Sequence, residues 1–183
     1  MRKVAVYSGS FNPLHKGHLA VVRHLLEKMD FDAVRLIVSP HNPLKENADP
    51  SSARKRVEDA RSAAGKYPQL AIIVDDIELG MEAPQYTCRT LDALRAAHPD
   101  EVHTLVVGAD QLEDFRRWRD YSRILLDYGI VAFPRSGYAF ASAAQSLKAE
   151  NPAYRITLAD FDVVDISSTD IRSGLIDRDA SAW

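Results

Sequence analysis

This chain of 183 residues has little cysteine, only 8 glycines and no long hydrophobic run. Its single cysteine, Cys88, cannot form a disulfide within the chain, so a fold held together by disulfides is excluded. No stretch reaches the roughly 20 apolar residues that a membrane-spanning helix needs. The apolar run in the opening segment MRKVAVYSGSF is also too short for a signal peptide. We therefore expect a soluble protein of the cytoplasm with no membrane partner.

An excess of charge of either sign is also lacking. The chain carries 23 Lys and Arg against 26 Asp and Glu, which gives a formal net charge of -3. Such a chain has no basic field that would attract a nucleic-acid backbone, so we expect no nucleic-acid partner and only local phosphate binding. The length suits one domain with a sizeable core, and we predict a single domain over residues 1–183. The oligomeric state stays open.

Short runs rich in valine and isoleucine alternate with segments of helical period. The runs at 3–7, 34–39, 71–76, 103–108 and 129–134 predict strands buried on both faces. Between them we predict four helical regions, one ending at Gly65 with Ser51 or Ser52 as its N-cap and another beginning near Thr87. The run 161–165 predicts the last strand. This alternation indicates an α/β fold with a single doubly wound, mainly parallel sheet.

The loop after the first strand is the first place to look for a site, because ligands of doubly wound sheets bind at the carboxyl ends of the strands. It holds neither G-x-G-x-x-G nor the P-loop pattern. It reads SGSFNPLHKGHL, with His15 and His18 on either side of Gly17. Free amides at a helix start and two imidazoles suit a phosphate, because imidazole donates hydrogen bonds and can carry charge near neutral pH. Surface or helix-capping histidines are the simpler alternative.

Other candidate residues also lie at strand or helix ends, and each has a structural alternative. Gly108 and Asp110 follow the fourth strand, where the aspartate could bind a ribose or cap a helix. Thr87 could bind an anion at a helix start or serve as an N-cap. Trp118 could stack on a ligand ring or belong to the core. The segment 166–172, ISSTDIR, could clamp phosphates or simply start a helix.

Five segments of the chain resemble segments of a known protein family and occur in the same order as they do there: GSFNPLHKGHL, PHNPLK, YTCRTLDAL, VVGADQLEDFRRW and ISSTDIR. They are similar to the nucleotidyltransferases with an H-x-G-H signature and, within these, to the bacterial nicotinate-nucleotide adenylyltransferases. The resemblance implies a Rossmann-like nucleotidyltransferase fold. It implies transfer of AMP from ATP to nicotinic acid mononucleotide, giving deamido-NAD and pyrophosphate, a step of NAD biosynthesis. Mg²⁺ is expected to arrive with ATP, so we predict no protein metal ligands.

The resemblance also implies a role for individual residues. Three would act catalytically on the phosphates: His15, His18 and Arg172. Eight would bind ATP: Gly9, Ser10, Phe11, Lys45, Gly108, Asp110, Ser168 and Thr169. Thr87 and Trp118 would bind the mononucleotide. The helix start at Thr87 would bind the carboxylate of the mononucleotide, and Trp118 would stack on its pyridine ring.

The chain departs from the family pattern in places, and two other functions stay open. Ser8 and Asn12 stand where the family commonly has glycine and aspartate, and Leu44 precedes Lys45 where a histidine is common. No role is assigned to Asn12 or His41, and the importance of the short stretch after Arg172 is open. One alternative is an adenylyltransferase acting on phosphopantetheine or another acceptor. The other is a nucleotide sensor without turnover.

Overall fold

The computed structural model describes residues 1–40 and 50–163, with the backbone alone at 50 and 51. Within these ranges the strands form one six-stranded sheet in the order β3-β2-β1-β4-β5-β6. Pairs β2 with β3, β4 with β5, and β5 with β6 are parallel. The strands are β1 (Arg2–Gly9), β2 (Ala33–Val38), β3 (Ile72–Asp75), β4 (Glu101–Gly108), β5 (Ile130–Phe133) and β6 (Ile156–Leu158). This order is that of doubly wound nucleotide-binding sheets, so the predicted fold class is confirmed.

Helices connect the strands, as parallel pairing requires. They are α1 (Lys16–Lys28), α2 (Pro50–Gly65), α3 (Thr87–Ala97), α4 (Ala109–Glu113), α5 (Tyr121–Arg123) and α6 (Ala141–Glu150). Single 3₁₀ turns lie at Ile77–Gly80 and Phe115–Arg117, and a π-helical turn at Ile124–Tyr128 follows α5. Across the described ranges, no helix has both the length and the apolar character needed to cross a bilayer.

The predicted strands are confirmed to within a few residues, and full burial on both faces holds for β2 and β5. The edge strand β3 is only half-buried along its length. Two local predictions are wrong. Helix α2 begins at Pro50, so Ser51 and Ser52 lie inside it and neither is the N-cap; proline suits a first helical position because its missing N–H would be unpaired there.

The second wrong prediction is the last strand. Residues 161–163 are not a strand, and the sheet ends instead with the three residues of β6. The Phe161 ring packs edge-on against Phe133, with 5.0 Å between ring centroids, so its apolar side chain is used without strand pairing. Val163 is 41% exposed. The residues 164 and 165 lie outside the described ranges.

The chain divides into two compact units. The first, here the histidine unit, comprises Tyr7–Met81 and Val164–Trp183, of which the structure describes 7–40 and 50–81. Its core includes the fully buried side chains of Leu25, Leu36 and Ile37. The second, here the aspartate unit, comprises Met1–Val6 and Glu82–Val163. Its core holds the fully buried side chains of Leu91, Leu94, Leu105, Leu112, Phe115, Ile124, Leu125, Ile130 and Leu147.

Candidate functional site

In the histidine unit, the turn after β1 is built around a buried phenylalanine in an unusual conformation. Phe11 has φ 47°, in the left-handed region that a bulky side chain rarely adopts, and it is only 4% exposed. Its ring lies 5.5 Å from that of Tyr7 and 5.2 Å from that of His18, between centroids. A Cβ at Gly9 would come within 3.3 Å of the same ring. Phe11 is therefore a core residue that supports His18, and any side chain at position 9 would press on the Phe11 ring.

The two histidines cap helix α1 for each other. His15 is the N-cap, and its Nδ1 accepts a hydrogen bond of 3.0 Å from the amide of Gly17. Nδ1 of His18 accepts one of 3.1 Å from the amide of His15. The rings stack, with 3.8 Å between centroids and 30° between planes. This is the reciprocal arrangement of a capping box, made here by two imidazoles.

This geometry fixes where the histidine protons lie. Because each Nδ1 is an acceptor, each neutral ring carries its proton on Nε2, which is then the atom able to donate to a ligand. Burial, and next the neighbouring His15, hold the pKa of His18 well below its ordinary value. His18 is therefore a neutral donor near pH 7, not the cation that the sequence allowed. The amides at the helix start were expected to be free for a phosphate, but the amide of Gly17 donates to His15 Nδ1.

In the aspartate unit, the end of β4 orients one carboxylate. Gly108 is the N-cap of α4, so Asp110 lies inside the helix and the alternative that it caps the helix is wrong. A Cβ at position 108 would come within 2.6 Å of Asp110 Oδ1, so glycine leaves the space that the carboxylate occupies. Arg135 Nη1 donates to Asp110 Oδ2 over 3.0 Å. Sequence reasoning missed Arg135, although its place just after β5 was a usable signal.

Also in the aspartate unit, Thr87 and Trp118 lie in neighbouring segments. Tyr86, not Thr87, is the N-cap of α3, and its side chain makes no capping hydrogen bond. Arg119 lies over the Tyr86 ring, 5.4 Å from its centroid, and Cys88 Sγ donates to Asp120 Oδ2 over 3.8 Å. The segment 118–120 therefore flanks the start of α3.

Trp118 is partly exposed and rests on buried Phe115, with 4.8 Å between ring centroids. Glu150 holds the chain on both sides of Trp118, because it accepts hydrogen bonds from Arg116 Nε over 2.8 Å and from the Tyr121 hydroxyl over 2.6 Å. Trp118 therefore packs against the core through Phe115, and part of its ring remains exposed. Its stacking role stays a prediction, as do the roles of the other site residues.

The remaining predicted site residues fall outside the described ranges. These are Lys45, Ser168, Thr169 and Arg172, together with His41. Within 1–40 and 50–163 no three His, Cys, Asp or Glu side chains gather closely enough to hold a metal ion.

The sequence profile described as Cytidylyltransferase-like matches residues 6–174. A curated relative from Bacteroides fragilis, named "Probable nicotinate-nucleotide adenylyltransferase", is 35% identical over 94% of this chain and 82% of its own length. A relative of the same name from Flavobacterium johnsoniae is 31% identical over 94% of this chain and 86% of its own length. Both alignments span nearly the whole chain.

Solved structures give the same fold. Plasmodium falciparum nicotinic acid mononucleotide adenylyltransferase complexed with NaAD superposes with a TM-score of 0.74 over 97% of this chain and 85% of its own. At 16% identity this likeness shows the fold alone. The fold, the profile match and the identity to the curated relatives agree: the chain belongs to the cytidylyltransferase-like family and, within it, to the nicotinate-nucleotide adenylyltransferases.

Proposed function

We propose that this enzyme transfers AMP from ATP to nicotinic acid mononucleotide, releasing pyrophosphate and forming deamido-NAD for NAD biosynthesis. The observation that carries the proposal is the pair of stacked histidines at the start of α1, which hold each other in the tautomer that donates from Nε2. This chemistry needs hydrogen-bond donors that are already positioned where negative charge develops on the phosphate. The cytoplasm, where ATP is present, is the proposed compartment.

In the proposed reaction a phosphate oxygen of the mononucleotide attacks the α-phosphorus of ATP in line with the leaving group. A new P–O bond forms to the mononucleotide, and the bond from the α-phosphorus to the bridging oxygen breaks, so that pyrophosphate carries away the electron pair. The Nε2–H of His18 donates to an α-phosphate oxygen, where charge develops, and His15 acts beside it. The backbone at 9–11 lines the phosphates. No protein nucleophile takes part, so rate enhancement comes from positioning and charge stabilisation.

The residues outside the described ranges complete the proposed phosphate site through the family resemblance. Arg172 would stabilise the charge of the departing pyrophosphate through charge-assisted hydrogen bonds. Ser168 and Thr169 would bind the β- and γ-phosphates, and Lys45 would contribute a positive charge to the phosphates.

We assign Asp110 to the ribose hydroxyls of ATP. A carboxylate accepts two hydrogen bonds well, and the geometry at Gly108 and Arg135 holds this one in a defined orientation. In this proposal Arg135 keeps Oδ2 occupied, so a ribose hydroxyl donates to Oδ1 or shares Oδ2. The proposed ribose contact therefore depends on the ion pair of Asp110 with Arg135 and not on Asp110 alone.

We place the pyridine ring of the mononucleotide on Trp118, with its carboxylate at the first amides of α3. The Thr87 and Cys88 amides have no intrahelical acceptor, as at any helix start, and no other acceptor among the described residues. A carboxylate is stabilised there by charge-assisted hydrogen bonds and by the helix dipole. A carboxamide can still accept through its oxygen but carries no charge, so the acid is the proposed substrate.

The donor set fits Mg²⁺ only as a companion of ATP. The proposed site offers imidazole and amide N–H groups, which bind phosphate oxygens and not a hard cation, and the described residues form no acidic cluster. Mg²⁺ would therefore be held by the polyphosphate and by water, where it neutralises phosphate charge.

Pyrophosphate release from ATP, measured with a panel of acceptors, tests the proposal. We expect release with nicotinic acid mononucleotide, and a kcat/KM for the acid roughly 10-fold to 100-fold above that for its amide, the equivalent of one charge-assisted bond. Release with phosphopantetheine alone would assign the alternative transferase. ATP binding without release under any acceptor would assign a sensor.

A further inference from the structure

Arg56 is a cation in the core-facing stripe of α2. The stripe reads Ala53, Arg56, Val57 and Ala60, and all four residues are buried, Arg56 being 4% exposed. Among the described residues no carboxylate pairs with it, and its Nε has no hydrogen-bond acceptor. Burial lowers the pKa of Arg56, but a guanidinium starts so high that it remains charged at neutral pH. A buried charge that only neutral groups contact within the described ranges is costly and calls for a reason.

Three backbone carbonyls hold this guanidinium. Nη1 donates to the Ser10 oxygen and to the Ser39 oxygen, each over 2.7 Å, and Nη2 donates to the Pro40 oxygen over 3.3 Å. Ser10 follows β1, and Ser39 and Pro40 follow β2, its neighbour in the sheet. The Ser39 amide also donates to the Gly9 oxygen over 2.9 Å. Arg56 therefore ties together the carboxyl ends of two adjacent strands.

We propose that Arg56 is a positioning residue for the ATP phosphates, which acts through the turn at 9–11. By holding the Ser10 carbonyl it fixes the peptide that joins Ser10 to Phe11, and so the direction of the Phe11 amide. Its positive charge is held beside that turn by the neutral carbonyls of Ser10, Ser39 and Pro40. The proposal deepens the proposed function and rests on it, since it assigns the ATP half of the reaction to this turn.

The test compares ATP with the acceptor. Arg56→Met removes the donors and the charge, and Arg56→Lys keeps the charge and can replace Nη1 at the two carbonyls that share it. Arg61→Met is the matched control, because Arg61 lies on the same helix but makes an exposed ion pair with Asp76 over 3.4 Å. The readouts are kcat, KM for each substrate, and the affinity for ATP by titration calorimetry without acceptor.

We expect Arg56→Met to raise KM and Kd for ATP by roughly tenfold, the effect of one misdirected hydrogen bond from the Phe11 amide to a charged phosphate, with KM for the mononucleotide within about twofold of wild type. Arg56→Lys should recover part of the ATP affinity, and Arg61→Met should change neither substrate. Equal rises in both KM values, or an unchanged ATP affinity, would show that Arg56 only supports the core.

The two proposals fail separately. A wild-type enzyme that binds ATP but releases no pyrophosphate would refute the proposed reaction, while calorimetry would still decide the role of Arg56. If Arg56→Met does not fold, Arg56→Gln, which removes the charge but keeps a polar side chain, takes its place under the same criterion: an ATP affinity equal to wild type overturns the proposal.

Discussion

At the scale of single residues, Asp110 shows how a missing side chain can orient a functional one. The atom nearest to a Cβ built at Gly108 is Asp110 Oδ1, while the backbone of Gly108 itself has an ordinary φ of -87°. Glycine is therefore used here for space and not for conformational freedom. Arg135 supplies the second constraint from the other oxygen.

Gly108→Ala should weaken ATP binding through Asp110. The new methyl group would displace Oδ1 and turn the carboxylate, so we expect KM for ATP to rise roughly threefold to tenfold, with kcat changed less. Steady-state kinetics with the mononucleotide saturating measures this. Gly80→Ala is the matched control, since a Cβ there meets nothing within 4 Å. An ATP KM unchanged in Gly108→Ala would remove Asp110 from the ribose site.

At the scale of elements, the start of α1 joins observed helix capping to the proposed phosphate binding. His18 accepts from the His15 amide through one nitrogen, and the other nitrogen is the proposed phosphate donor. Two neighbouring rings, His15 at 3.8 Å and Phe11 at 5.2 Å between centroids, limit how far the His18 ring can turn. The His18 side chain therefore both caps the helix, through Nδ1, and supplies the proposed phosphate donor, Nε2.

His18→Ala should lower kcat by roughly 100-fold or more, the cost of one preorganised donor, and should also destabilise the protein by about 0.5–2 kcal/mol through the lost cap. His18→Asn can accept from the His15 amide, so it should recover stability without recovering turnover. Urea unfolding and pyrophosphate release measure the two effects. His24→Ala, on the same helix, is the control. A near-wild-type rate in His18→Ala would contradict the assignment.

Elements with strong periodicity were predictable from the sequence, and weak ones were not. The valine-rich strands and helices α1 and α3 stood out because their apolar residues recur at fixed spacing. Strand β6 has three residues, too few for any period to show. The run at 161–165 was apolar enough to suggest a strand, but Phe161 is used in side-chain packing and not in strand pairing.

The site divides in the same way. The histidines were found from their spacing, and helix capping was one of the alternatives, but that each histidine caps through the other needed coordinates, because imidazole is not among the usual capping side chains. Arg56 and Arg135 were missed because their partners lie 46, 17, 16 and 25 residues away along the chain. A basic residue inside an apolar stripe, as at Arg56, was the one available signal.

At the scale of the whole molecule, pH should act on stability through His18. Its pKa is about 6.5 in the unfolded chain and well below that in the folded protein, so below pH 6.5 the unfolded state binds more protons. The free energy of unfolding should therefore fall as the pH drops from 7.5 to 5.5. Urea unfolding should show a smaller fall in His18→Asn, which cannot titrate there. An equal fall in the wild type and in His18→Asn would contradict this assignment.

The overall charge makes a prediction about salt. With a net charge of -3 the protein exerts no long-range attraction on a polyanion, so ATP must be held by groups in direct contact with it. We expect KM for Mg·ATP to rise by less than about threefold between about 50 and 300 mM KCl, because short, partly buried contacts are weakly screened. A tenfold rise would indicate steering by a charged surface instead.

The turn at Phe11 has a consequence for anyone who wants a more heat-resistant enzyme. A phenylalanine at φ 47° holds about 1–3 kcal/mol of backbone strain, and exchange for glycine is the usual remedy at such a position. Here the remedy would remove the ring that packs on Tyr7 and His18 and would leave a void next to the proposed phosphate donor. Engineering for thermal tolerance should leave this turn alone and begin with exposed positions elsewhere.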